Sequence, residues 1–303
     1  MQSILNLIRW KNLLMIALLQ YLIKYALLEP FGASMTLTDF LVLILATIFI
    51  AAAGNVINDI YDVETDFINK PKSIIIGKTI SEKTAYNLFI ILNVLGVALG
   101  FYVSHAINRS ELFSLFVIIS VLLYVYASYL KQTFLIGNII VSALVALSII
   151  IVGIFELFPA ITNQNQGIQL VFFRILLDYA LFAFILNFLR EIVKDIEDID
   201  GDNKTGMRTL PIVIGRERAS KVLFAFSLVP LAIIIYYINT TLYKQPIVVV
   251  YFLIFIVAPL IFISIKTLTA KSKKEFHTIS NLYKLVMLFG ILSILLYKFI
   301  LLK

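Results

Sequence analysis

Asn55-Val-Ile-Asn58-Asp59-Ile-Tyr-Asp62-Val-Glu-Thr-Asp66 and Glu191-Ile-Val-Lys-Asp195-Ile-Glu-Asp198-Ile-Asp-Gly-Asp202 are the two stretches on which the reading of this chain turns. In each, oxygen-bearing side chains fall at steps of four, three and four. That spacing places 55, 59, 62 and 66, and likewise 191, 195, 198 and 202, on one face of a helix. Both stretches close a long apolar segment, where carboxylates are costly unless they are wetted, paired or bound to a cation. Two stripes of acid in that position point to a Mg²⁺ site for a polyphosphate.

The setting is a membrane. Of 303 residues, 61% are hydrophobic and 14% charged, with a mean hydropathy of +0.99, beyond what a soluble domain of this size carries. Apolar segments of about 20 residues mark spans. Nine are predicted, over 12–30, 38–58, 84–105, 111–130, 136–158, 169–190, 220–239, 246–266 and 281–300. All are helical, because a lipid-exposed backbone must satisfy its own hydrogen bonds. No small-residue cleavage site follows the first apolar run, so a removable leader is not expected. The absence of Cys excludes disulfides, thiolate metal sites and cysteine nucleophiles.

The charge of +7 is distributed unevenly. With nine spans, the N-terminus shares one side with the loops that follow even-numbered spans. The other side keeps Lys24, Arg109, Arg174, Lys244, Lys298 and Lys303, leaving 19 of the 25 Lys and Arg on the first. The basic side is therefore the cytoplasmic one, and both acid stripes lie on it. For most of these cations topology is explanation enough, and Lys266 to Lys274 have the look of anchoring charges. The polar stretches 62–83 and 191–219, each following an acid stripe, mix Lys, Arg, Gly, Pro and Thr as structured caps do. The expected architecture is an all-α polytopic membrane protein: nine transmembrane helices around a central cavity with cytoplasmic-side polar caps, forming a single domain over 1–303. Nothing points to nucleic acid, and the sequence carries no sign of oligomeric state.

Carboxylate and amide oxygens are hard ligands suited to Mg²⁺, which is commonly held by one or two carboxylates together with substrate phosphates. With the two helix ends facing each other, Asn58, Asp59, Asp62 and Asp66 would hold one ion and Asp195, Asp198 and Asp202 another, bridged by a diphosphate. The plainer alternative is acids that are solvated, or paired with Lys70, Lys72, Arg190 and Lys194; matched spacing in two places weighs against it. A calcium loop starting at Asp198 would need Gly sixth and Glu twelfth. Asn203 and Thr209 stand there, so that reading fails. His105 and His277 are isolated in sequence, and no metal or base role is expected of either.

Asn58-Asp59-x-x-Asp62-x-x-x-Asp66 resembles the first aspartate motif of UbiA-type intramembrane prenyltransferases, and Asp198-x-x-x-Asp202 preceded by Asp195 is similar to their second. The resemblance covers the whole chain, with the motifs after spans two and six. Leu7-Ile-Arg9-Trp-Lys-Asn12 before span one, and Tyr129-Leu-Lys131 with Gly137-Asn138 between spans four and five, agree with it. It implies Mg²⁺-dependent transfer of a polyprenyl group from its diphosphate to a membrane-soluble acceptor, in the cell membrane, with the active site open to the cytoplasm. Asp62, Asp66, Asp198 and Asp202 would be catalytic; Arg9, Asn12, Lys70, Lys131, Arg190 and Lys194 would bind substrate.

The run Arg190 to Asp202, followed by Gly206-Met-Arg-Thr209-Leu210-Pro211, looks most like the subgroup that geranylgeranylates geranylgeranylglyceryl phosphate, an ether-lipid precursor. An acceptor with its own phosphate would suit Arg190, Lys194 and Arg208. Lys70-Pro71-Lys72-Ser73-Ile74-Ile75-Ile76-Gly77 departs from that pattern, which has further prolines and an Arg there. Aromatic acceptors such as a hydroxybenzoate, a dihydroxynaphthoate or a chlorin stay open. A cation-coupled secondary transporter is the rival of another class, but it would place its acids near the midplane of broken helices.

Overall fold

A computed structural model describes residues 2–29 and 34–297. Among the described residues, nine helices are long and apolar enough to cross a membrane. They are α1 (Trp10–Leu28), α2 (Leu37–Tyr61), α3 (Glu82–Ala106), α4 (Ser110–Ser128), α5 (Ile136–Ala160), α6 (Gln166–Lys204), α7 (Arg216–Leu242), α8 (Pro246–Thr269) and α9 (Lys273–Leu296). Each predicted span falls on one of them. Pro30, at the end of the first predicted span, and Lys298 and Lys303, near the last, lie outside the described residues.

The two stripes differ in how fully they keep the helix that their spacing predicts. Helix α6 has 39 residues, about 58 Å at 1.5 Å per residue, and runs on past residue 190 through the whole second stripe. Ile192, Val193 and Ile196 are fully buried, so an apolar face continues through the acidic turns and gives the helix something to pack on. The first stripe is not carried by one uninterrupted helix. Helix α2 ends at Tyr61, Asp62 takes φ −89° and ψ −3°, and a short helix, Val63–Asn69, resumes. Hydrogen bonds still run from Asp62 N to Asn58 O (3.0 Å) and from Asp66 N to Asp62 O (2.7 Å).

The chain forms two compact units, Met1–Lys131 with Leu147–Leu177, and Gln132–Ala146 with Asp178–Lys303. In the first, small residues let helices approach closely, as is usual within lipid. A methyl on Gly96 of α3 would lie 2.6 Å from Ile50 Cγ1 and 3.0 Å from its backbone N on α2. Away from the acids, Lys24 (3% exposed) and Glu156 (0%) form an ion pair of 2.5 Å. Lys24 also donates to Met35 O (2.8 Å), and Glu156 Oε2 accepts from the backbone of Ser34 (3.0 Å) and Met35 (3.1 Å). Desolvating two charges is tolerable only with such full satisfaction of donors and acceptors. The pair ties α1, the start of α2 and the end of α5 together. Lys24, counted in sequence only among the charges of the less basic side, is thus an interior one.

The second unit packs Leu223, Ile263, Phe276, Ile279, Tyr283 and Val286 in its core. Polar links stitch its helices. Ser227 donates to Ser264 at 2.7 Å between α7 and α8, and Tyr251 to Phe289 O at 2.8 Å between α8 and α9. Ser272 and Glu275 form a reciprocal cap at the start of α9, which satisfies two of the amides left open at a helix N-terminus.

Candidate functional site

The first stripe is held by residues far away in sequence. Arg9 stands in a left-handed conformation, φ 54° and ψ 51°, which an L-residue adopts at a cost of order 1 kcal/mol. Asn55, the first oxygen of the stripe, donates to Ile8 O at 2.9 Å and so fixes this strained turn against α2. The turn aims the guanidinium: Arg9 Nη2 lies 2.6 Å from Asp59 Oδ1. Asn12, one turn into α1, bonds Arg9 O through its backbone (2.8 Å). The Lys131 ammonium contacts Asp62 Oδ1 and lies 3.4 Å from Asn58 Oδ1. Asn58 Nδ2 in turn donates to Asp62 Oδ2 at 2.8 Å. Two side-chain oxygens of the motif therefore converge on one cationic group. Asp66 lies on the short helix, and its carbonyl accepts from Lys70 N at 2.7 Å.

The segment that follows is an ordered cap. Gly77 takes φ 83°, a conformation that favours glycine, and its N–H donates to Ile80 O at 2.9 Å. Ile76 and Ile80 are buried with Leu7, Val56, Ile57 and Ala85, while Lys78 Nζ donates to Pro71 O at 2.5 Å.

The second stripe is held mostly by its own helix and by α9. Glu191 is buried between Arg190 Nη1 (3.0 Å) and Lys194 Nζ (2.8 Å), so both expected phosphate-binding cations are engaged with a neighbouring acid. Asp195 Oδ2 accepts from Asn138 Nδ2 at 2.8 Å. Asp198 Oδ1 lies 3.4 Å from Lys273 Nζ, and Glu197 Oε1 3.0 Å from His277 Nδ1. His277 is thus not isolated, and Lys273 is more than an anchoring charge; both sit at the start of α9, where sequence distance hid them. Asp202 is buried, and its carbonyl accepts from Met207 N at 3.0 Å. Arg208 N donates to Gln132 O at 2.8 Å, which fastens the loop after α6, so this cap too is structured.

No group of three or more His, Asp or Glu side chains is gathered to hold a metal among the described residues. The donor chemistry nonetheless suits Mg²⁺: every candidate ligand offers carboxylate or amide oxygen, and Asn58 and Asp62 already converge on a cation in the form of Lys131. A metal at that point would have to displace the lysine, which would then be available to an anion.

Known proteins share this fold and these spans. The model of the UbiA prenyltransferase family matches residues 14–288. A digeranylgeranylglyceryl phosphate synthase of Methanosphaera stadtmanae is 34% identical over 81% of this chain and 83% of its own. One of Methanococcoides burtonii is 33% identical over 97% and 98%. Among solved structures, that of a digeranylgeranylglyceryl phosphate synthase in membranes covers 98% of both chains at 26% identity, with a TM-score of 0.62. A UbiA homologue of Archaeoglobus fulgidus bound to DMAPP and Mg²⁺ shares the fold at 20% identity, over 96% of this chain and 99% of that one, with a TM-score of 0.55.

Proposed function

The chain belongs to the UbiA prenyltransferase family, and from that premise we propose that it transfers a geranylgeranyl group from its diphosphate to geranylgeranylglyceryl phosphate. The family model spans both compact units, and we take residues 1–303 as one functional domain. In the reaction the allylic C–O bond of the donor breaks and its electron pair leaves with diphosphate. The acceptor's hydroxyl oxygen forms the new ether bond and releases its proton. Bound Mg²⁺ neutralises charge growing on the leaving diphosphate.

The observation that carries this reading is the convergence of Asn58 Oδ1 and Asp62 Oδ1 on the Lys131 ammonium. It supports a role for these oxygens, with Asp59 and Asp66, in holding Mg²⁺; Asp195, Asp198 and Asp202 have the same role in the second stripe. Lys131, Arg9 and Lys70 bind the diphosphate, with Asn12 beside Arg9. Arg190 and Lys194 bind phosphate. The nine apolar helices make this a multi-pass membrane protein. Its active site opens to the cytoplasmic face of the cell membrane, a placement supported by the basic excess on that side.

The test is purified chain in nanodiscs with labelled geranylgeranyl diphosphate, Mg²⁺ and, in separate arms, geranylgeranylglyceryl phosphate, a hydroxybenzoate and a dihydroxynaphthoate. An ether product in the first arm alone, lost on adding EDTA, is the expected result. Transfer in an aromatic arm only would replace the acceptor assignment. No transfer in any arm, or transfer indifferent to EDTA, would overturn the reading.

A further inference from the structure

Helix α5 starts from a strained residue. Leu135 takes φ 57°, a left-handed conformation that is uncommon for any side chain larger than glycine and lacking a local hydrogen-bonding group. Backbone bonds hold it there: Ile136 N donates to Phe134 O (2.7 Å) and Ile139 N to Leu135 O (3.0 Å). Three residues after Leu135 comes Asn138, only 6% exposed, whose amide meets Asp195 Oδ2 at 2.8 Å. The direction of this bond follows from chemistry, since a carboxylate only accepts. A turn further on, buried Ser142 donates to Asn138 O (2.6 Å) and accepts from Asn187 Nδ2 (3.2 Å). Strained backbone and a buried polar ladder both converge on where Asn138 points.

Asp195 differs from the acids around it. Glu191, Glu197 and Asp198 each meet Lys, Arg or His; among the described residues Asp195 is in no ion pair, and its hydrogen-bond partner is the neutral amide. An ammonium or guanidinium in that place would compete with a metal for the carboxylate's charge. An amide donor orients the side chain without bringing a competing positive charge, which is what outer-shell partners of metal ligands do.

We propose that Asn138 is a positioning residue: it holds Asp195 through Oδ2 and leaves Oδ1 to the divalent cation. The inference rests on the Mg²⁺ reading above. Its test uses the full chain in nanodiscs titrated with Mn²⁺ alone, with the free-ion EPR signal as readout and no substrate present. Asn138→Leu is expected to weaken Mn²⁺ binding about tenfold or more, and Asp195→Ala at least as much. The double variant is expected to be no worse than Asp195→Ala, because the two act through one interaction. Asn187→Leu cuts the other polar link between the same helices and is expected to leave Mn²⁺ affinity within about twofold, which separates positioning from general loosening. Should Asn138→Leu fail to fold, Asn138→Ser, too short to reach, carries the same expectation.

Wild-type affinity in Asn138→Leu or in Asp195→Ala would overturn the positioning role, as would an equal loss in Asn187→Leu. Those outcomes leave the Mg²⁺ reading of the first stripe standing, and wild-type affinity in Asp195→Ala removes Asp195 alone from the second. A wild-type chain that binds no Mn²⁺ would overturn that reading and the positioning role together.

Discussion

In the first acid stripe Asp59 and Asp62 meet Arg9 and Lys131, cations that lie 50 and 69 residues away in sequence. In the second, Glu191 meets the Arg and Lys of its own helix, while Asp195 meets a neutral amide. The backbones differ in the same sense. The first stripe is interrupted at Asp62, whereas the second rides on an unbroken helix of 39 residues. Equal spacing has therefore produced two kinds of site. One is balanced by positive side chains from residues remote in sequence. The other rides on one continuous helix, its acids met by that helix's own Arg190 and Lys194, by Asn138 and by Lys273 and His277 of α9.

The sharpest way to break the comparison is Asp62→Ala, which removes the point on which Asn58 and Lys131 converge. Labelled-substrate assays are expected to show transfer reduced about a thousandfold, on the scale of losing one electrostatic element of a transition-state site. A loss under tenfold would mean that the first stripe is not the one that matters. Lys24→Met provides a contrast, a buried charge pair in the same unit but away from the acids. Leaving Glu156 uncompensated is expected to cost about 3–5 kcal/mol, seen as a lower thermal midpoint in nanodiscs, with the Mg²⁺ dependence of the surviving activity unchanged. A changed Mg²⁺ dependence would link the two regions functionally.

Lys131→Met tests the displacement of the lysine by a metal. Freed of its competitor, the first stripe is expected to reach half-maximal activity at lower Mg²⁺, while KM for the prenyl diphosphate rises about tenfold, the worth of one charge-assisted hydrogen bond. Both parameters moving together in the unfavourable direction would make the lysine structural. The smallest effect is expected of His277→Gln. The histidine is largely exposed, and a pair of that kind is worth less than about 1 kcal/mol, so activity and Mg²⁺ dependence should stay within about threefold. A larger loss would show that α9 steers the second stripe.

What was legible from residues alone, and what was not, follows the same division. The nine spans could be read because the length of an apolar run is a property of composition, and each was found. The helical run of the second stripe could be read too, from the spacing of 191, 195, 198 and 202, and Ile192, Val193 and Ile196 supply its packing face; the interruption of the first stripe at Asp62 could not. Arg9 and Lys131 were visible as cations near a motif. Lys273 was read as an anchoring charge and His277 as isolated, because nothing local to residues 273–277 says that Glu197 and Asp198 lie beside them. Asn138 was noticed only as part of a flanking match; an amide becomes meaningful once its partner is known.

By itself the sequence determined that this chain crosses the membrane in helices, that two helically spaced acid stripes follow apolar segments, and that oxygen chemistry of the Mg²⁺ kind is available. Those properties depend on side-chain type and on distances of a few residues along the backbone. Only the tertiary structure decided which cation or amide each acid meets, that Asp62 interrupts one stripe while the other runs straight, and that Lys24 and Glu156 pair in the interior. Such pairings are set by packing between helices that are remote in sequence. They have a large energetic weight in a low-dielectric interior and no signature in local spacing.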